Sequence, residues 1–229
     1  MEQYQLDFVE FLIKQKALLF GSYILKSGRI SPYFFNAGQF TSAKAISVLG
    51  QYYAKAIVES KIEFDVLFGP AYKGIPIVTS VAIALYEHHG IDVPFCFNRK
   101  EAKTHGEGGF IVGAPLKDRI LIIDDVISSG TTFKESAQIV ANHPAQLVGV
   151  VTAMDREEQG EKATLSAIDE IRTKHKIETI NIVQLSHVIE YMRRHNHLYD
   201  EELQSILSYQ EKSSLWIWIM MAKSVKQPC

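Results

Sequence analysis

Short apolar runs alternate along this chain with stretches whose apolar residues recur every three or four positions. Ile120–Ile123 is four consecutive apolar residues, the pattern of a strand buried on both faces of a parallel sheet. Asp65–Phe68, Val93–Asn98, Leu147–Met154 and Thr179–Leu185 read as further strands. Between them, Ala43–Ser60 places Ile46, Leu49, Tyr53 and Ile57 on one helical face. Ile75–His88, Lys134–Ala141, Thr164–Lys174, Val188–His195 and Glu201–Ser213 also read as helices. Strand and helix alternate from residue 43 to 195, which predicts an α/β fold: a mostly parallel sheet flanked by helices. The first 40 residues break that rhythm. Leu6, Val9, Phe11, Leu12 and Ile13 suggest an amphipathic helix stopping around Gly21. Ser22–Lys26 and Tyr33–Asn36 suggest two short strands joined by Ser27-Gly28, with Pro32 marking an edge. These pieces are expected to form a small subdomain over the sheet's edge. Arg99–Gly113 is polar and glycine-bearing and reads as a loop.

Composition changes this picture little. The 229 residues are 47% hydrophobic, enough for one large domain, expected over 1–213, with an apolar tail at 214–229. A net charge of −2 without a dense Lys/Arg run argues against duplex nucleic acid as partner. Cys96 and Cys229 lie too far apart for a metal motif, and a reduced pair is expected. Met1–Asp7 is polar and Phe8–Ile13 too short for the apolar region of a secretory leader. Nothing reaches the roughly 20 apolar residues of a membrane span, so a cytoplasmic protein is expected.

The chemistry concentrates after the strands. Ile120–Ile123 runs into Asp124-Asp125, then Ser128-Ser129-Gly130-Thr131-Thr132 at the start of a helix. Small residues and hydroxyls before a helix N-terminus can cradle a phosphate on backbone N–H groups. The acidic pair would repel that phosphate, and suits two adjacent sugar hydroxyls instead. Gly69–Gly74 sets Tyr72 and Lys73 between two glycines, where the ammonium can meet a diphosphate. Arg99–Gly109 adds Arg99, Lys100, Lys103 and His105 ahead of three glycines, a segment able to close over an anion. Together with Asp155-Arg156, these stretches follow strands. Ligands of open α/β sheets bind at the carboxyl ends of strands, so the four should converge.

The Ile120–Phe133 run resembles the phosphoribosyl-diphosphate signature of the type I phosphoribosyltransferases. Arg99–Gly109 resembles the catalytic loop of the orotate phosphoribosyltransferases, and Leu25–Gly38 resembles the base-recognising hood of the same enzymes. The likeness runs from about Tyr4 to Tyr209. It implies transfer of phosphoribose from phosphoribosyl diphosphate to orotate, with Lys103, His105, Asp124 and Asp125 catalytic. Phosphoribosyl diphosphate would contact Lys26, Tyr72, Lys73, Arg99, Lys100, Lys103, His105, Asp124, Asp125, Val126, Ile127, Ser128, Ser129, Gly130, Thr131 and Thr132. Orotate would contact Lys26, Phe34, Phe35, Ser128 and Arg156. Mg²⁺ would be held mainly by substrate oxygens and water. The Arg99–Gly109 loop would serve the neighbouring subunit of a homodimer. Ser128 and Ser129 depart from the Thr-Ala common in bacterial relatives, though Ser128 keeps a hydroxyl. A ligand-sensing regulator of related sequence would be expected to carry a DNA-binding module or a basic surface, and to lack the intact loop. A phosphoribosyltransferase for another base is the remaining alternative.

Overall fold

The computed structural model describes residues 1–25, 28–103, 109–127, 131–158, 160 and 165–213. The chain begins with α1 (Gln3–Lys14) and an antiparallel hairpin of β1 (Leu18–Ile24) and β2 (Ile30–Phe35). There follow α2 (Ala43–Ser60), β3 (Val66–Gly69), α3 (Gly74–His89), β4 (Phe95–Lys103), β5 (Gly109–Gly113) and β6 (Asp118–Ile123). The remainder is α4 (Thr131–Ala141), β7 (Ala145–Asp155), α5 (Ala167–His175), β8 (Glu178–Gln184), α6 (Leu185–Arg194) and α7 (Asn196–Ser213). Non-helical backbone at Tyr199 kinks α7.

Among the described residues, six strands form the main sheet, ordered β5-β4-β3-β6-β7-β8. All its pairings are parallel except β4 with β5. Strand alternation sends side chains to two cores. Ile120 and Ile122 face a layer that includes Phe133, Ala137, Val140 and Ile171 from α4 and α5. Leu121 and Ile123 face a larger layer built with α1, α2, α3, the hairpin, α6 and α7. Burial on both faces is why β6 reads as an unbroken apolar run. Where α2 crosses α3, a side chain at Gly50 would collide with the Ser80 carbonyl, so a glycine there permits the close approach.

Helix α1 ends at Lys14, well before Gly21. Ala17 and Leu18 are buried, and the Leu18–Phe20 segment pairs with Tyr33–Phe35. The first strand is therefore Leu18–Ile24, not Ser22–Lys26. Its ladder is irregular between Phe20 and Tyr23, opposite Pro32, which has no N–H to donate. The larger correction concerns Arg99–Gly113. Arg99–Lys103 continues β4, and Gly109–Gly113 returns antiparallel as β5, the edge strand, so those residues are strand and not loop. Beyond Phe97 this part of β4 has no β3 partner, and its charged residues hid the strand from a reading based on burial. Helix α5 begins at Ala167, where the Ser166 hydroxyl accepts the Asp169 N–H; Thr164, the expected start, lies outside the described residues. Helices α6 and α7 begin at Leu185 and Asn196, earlier than their apolar patterns indicate.

Candidate active site

Strands β4, β3, β6 and β7 are parallel neighbours, so their carboxyl ends share one edge of the sheet. From β3 the chain passes to β4 on one side, then returns to β6 on the other. The gap beyond β3 and β6 is thus a topological switch point, where open α/β sheets leave a crevice. The loops leaving both strands meet there. Lys73, at the start of α3, donates from Nζ to Asp125 Oδ2 at 2.8 Å.

Each loop is held by its own contacts. Asn98 is buried within β4, and its Oδ1 accepts the Ala71 N–H at 2.9 Å. A Cβ at Gly69 would meet the Gly74 carbonyl and Val78, and one at Gly74 would meet Gly69 and Pro70. The two glycines therefore let the strand end and helix start touch; neither has positive φ. On the β6 side, the Asp125 N–H donates to Asp124 Oδ1 at 2.9 Å, and the Val126 N–H to Asp125 Oδ1 at 2.8 Å. Tyr53 of α2 donates its hydroxyl to the Asp124 carbonyl at 2.7 Å. Asp124 is buried, and burial together with the Asp125 charge pushes its carboxyl up to about 7. Burial also raises the Tyr53 hydroxyl well above its usual value, with the Asp125 charge next.

Tyr72 and Thr132 are exposed beside this crevice, Val126 is half-buried and Ile127 is buried. Lys100 lies exposed on β4, and Arg99 Nη1 donates to the Gly109 carbonyl across the β4–β5 pair. Lys26, His105, Ser128, Ser129 and Gly130 lie outside the described residues, as do the side chains of Lys103 and Thr131. Tail residues 214–229 also lie outside them. Phe34 is partly exposed on the hairpin and stacks on Tyr23, whereas Phe35 is buried in the larger core.

Arg156 follows β7 and is 6% exposed. Its Nε and Nη2 donate to Glu158 Oε1 at 3.0 and 2.6 Å, and Nη2 also reaches Ser31 Oγ at 3.2 Å. The guanidinium carbon lies 4.5 Å from the centre of the Tyr33 ring. These contacts join the end of β7 to the hairpin.

Asn98, Tyr53, Ser31 and Glu158 were not among the residues expected at the site from the sequence. Asn98 adjoins the Arg99 run at the end of the expected Val93–Asn98 strand, and Glu158 lies two residues from Arg156. Those positions were the available signals. Nothing in the local pattern marks Tyr53, which shares its helix face with ordinary core residues.

A family profile described as the phosphoribosyl transferase domain matches residues 36–184. The chain is 50% identical over 212 residues to the orotate phosphoribosyltransferase of Pectobacterium carotovorum subsp. carotovorum (strain PC1), covering 93% of this chain and 99% of that one. The chain belongs to the orotate phosphoribosyltransferase family. Its likeness to the enzyme of Serratia proteamaculans (strain 568) is also 50% over 212 residues, covering 93% of this chain and 99% of that one. The crystal structure of the Francisella tularensis orotate phosphoribosyltransferase superposes with a TM-score of 0.81 at 37% identity, covering 91% of this chain and 99% of that one. The general profile begins after the β1–β2 hairpin and ends before α6, so it takes in the acidic pair and Lys73 but not the hairpin. The relatives that share the orotate phosphoribosyltransferase name match over a much longer stretch.

Proposed function

We propose that the chain transfers the 5-phosphoribosyl group of phosphoribosyl diphosphate to N1 of orotate, giving orotidine 5′-phosphate and diphosphate in pyrimidine synthesis. The observation that carries this reading is half-identity to curated orotate phosphoribosyltransferases over nearly their whole length. Loss of orotate absorbance on adding phosphoribosyl diphosphate and Mg²⁺ tests it, with uracil, hypoxanthine and adenine as controls. No change with orotate, or equal turnover with another base, would overturn it.

Displacement at the anomeric carbon builds positive charge on the sugar and negative charge on the departing diphosphate. The sugar's ring oxygen shares the first. Cations must meet the second, and Lys73, Arg99, Lys100, Lys103 and His105 are assigned that task, with Tyr72 beside them. Lys73 already answers a carboxylate across the crevice, so arriving diphosphate would compete with Asp125 for its ammonium. Asp124 and Asp125 would accept hydrogen bonds from the ribose hydroxyls. Val126 to Thr132 would hold the 5′-phosphate, near the N-terminus of α4. Lys26, Phe34, Phe35, Ser128 and Arg156 would read orotate, a flat ring bearing a carboxylate.

Among the described residues no three His, Cys, Asp or Glu side chains converge to hold a metal ion. A magnesium ion would suit this surface in company with substrate, its ligands being diphosphate oxygens and water, with Asp124 and Asp125 the neighbouring carboxylates. When bound it would offset charge on the leaving diphosphate. The Arg99–Gly109 segment would complete the site of a second subunit in a homodimer, and closure would keep water from the activated sugar. Among the described residues no helix is long and apolar enough to cross a membrane, and we place the activity in the cytoplasm.

A further inference from the structure

Glu158 has no role in the reaction outlined above. It is 6% exposed, and donors from three separate parts of the chain surround its carboxylate. Arg156 supplies Nε and Nη2 to Oε1. Tyr209 of α7 donates its hydroxyl to the same oxygen at 3.0 Å. Arg29, just before β2, reaches Oε2 at 3.0 Å, and the Tyr33 hydroxyl lies 3.5 Å from Oε1. A buried carboxylate needs partners of this kind, so satisfaction of Glu158 alone would explain some of them.

The geometry around Arg156 asks for more than that. A guanidinium is a planar fork, and gripping one of its edges fixes the direction of the others. Glu158 grips the Nε–Nη2 edge, Ser31 adds a bond at Nη2, and the Tyr33 ring bears on the guanidinium at 4.5 Å. Ser31 and Tyr33 both come from β2, the strand that also carries Phe34 and Phe35. The edge that includes Nη1 is therefore set relative to the hairpin by groups that need not touch a ligand themselves.

We propose that Glu158 is a positioning residue for the base: it locks the Arg156 guanidinium against the hairpin, and Tyr209 makes the C-terminal helix part of that lock. This rests on the reading of Arg156 as a partner of orotate.

The test is steady-state kinetics of Glu158→Gln, Tyr209→Phe, Arg156→Ala and the double variant Arg156→Ala/Glu158→Gln, each first shown folded by circular dichroism. Glu158→Gln keeps the shape and one acceptor oxygen but loses the charge. It should raise KM for orotate about tenfold, the equivalent of one charge-assisted hydrogen bond, with KM for phosphoribosyl diphosphate within about twofold. Tyr209→Phe removes a single bond and should shift the same constant in the same direction by less. If Glu158 acts through Arg156, the double variant should be no worse for orotate than Arg156→Ala alone. Additive losses, equal losses for both substrates, or no change in Glu158→Gln while Arg156→Ala fails on orotate would each overturn the positioning role. Should Glu158→Gln not fold, an unchanged orotate KM in Tyr209→Phe overturns it instead. If Arg156→Ala leaves orotate use intact, the assignment of Arg156 to the base is what falls.

Discussion

The Asp124 carboxyl is held near 7 by its burial and by the charge of Asp125 beside it, against an unperturbed value of 3.8. Between those two values the unfolded chain has released this proton and the native protein retains it. By linkage the group's contribution to stability falls as pH rises from about 4 to about 7, then levels off. Asn cannot ionise, so Asp124→Asn should gain stability relative to the native protein as pH rises. Urea melts at pH 5 and pH 8 check this: the variant's advantage should be larger at pH 8, and an equal difference at both would count against it. Activity should move the other way. Asn accepts hydrogen bonds less strongly than a carboxylate, so Asp124→Asn and Asp125→Asn should each lose roughly ten- to a hundredfold in kcat/KM while remaining folded. Near wild-type turnover in both would reduce the pair to a structural cap.

At the scale of elements, the site depends on how closely β3 and α3 approach each other. Gly69 and Gly74 are in contact across the turn, and the Ala71 N–H is tied to Asn98 on β4. Lys73 is therefore placed by backbone packing from two strands. Gly69→Ala would push its new methyl into the Gly74 carbonyl and Val78. Overpacking of this kind costs about 1–3 kcal/mol, and here it should also displace the start of α3. The expected result is a lower melting temperature together with a KM for phosphoribosyl diphosphate raised more than that for orotate. Unchanged kinetics in a folded variant would show that the turn tolerates the shift. The β4–β5 pair matters at the same scale. Because Arg99–Lys103 is strand, the backbone that carries those cations is set by the sheet.

For the whole molecule, the question is whose site those cations serve. In a two-fold dimer the Arg99–Gly109 segment of one subunit would cover the crevice of the other. Lys103→Ala disables the donated segment and Asp125→Ala the receiving crevice, so each homodimer should be nearly inactive. Mixing equal amounts and allowing reassortment makes half the dimers hybrid by random pairing. Each hybrid has one site with both defects and one with neither. Activity should therefore recover to about a quarter of wild type by that symmetry count. No recovery, with subunit exchange demonstrated by mass, would mean that the segment closes over its own subunit.

The sequence by itself determined the parallel strands of the sheet, their alternation with helices, and the acidic pair beyond Ile123. Those features follow from local periodicity and from the rule that parallel strands present their carboxyl ends together. Ala43–Ser60 reads as a helix and is one, because its apolar face is written at helical spacing. Only the tertiary structure decided the partners. Lys73 meets Asp125 across 52 residues of sequence, and Tyr209 meets Glu158 across 51. It also decided that Arg99–Lys103 is strand and that the first helix ends at Lys14. The hydrogen bonds that make a strand belong to its neighbour as much as to itself, and buried charges are satisfied by whichever donors the topology brings alongside. Neither is visible in a window of consecutive residues.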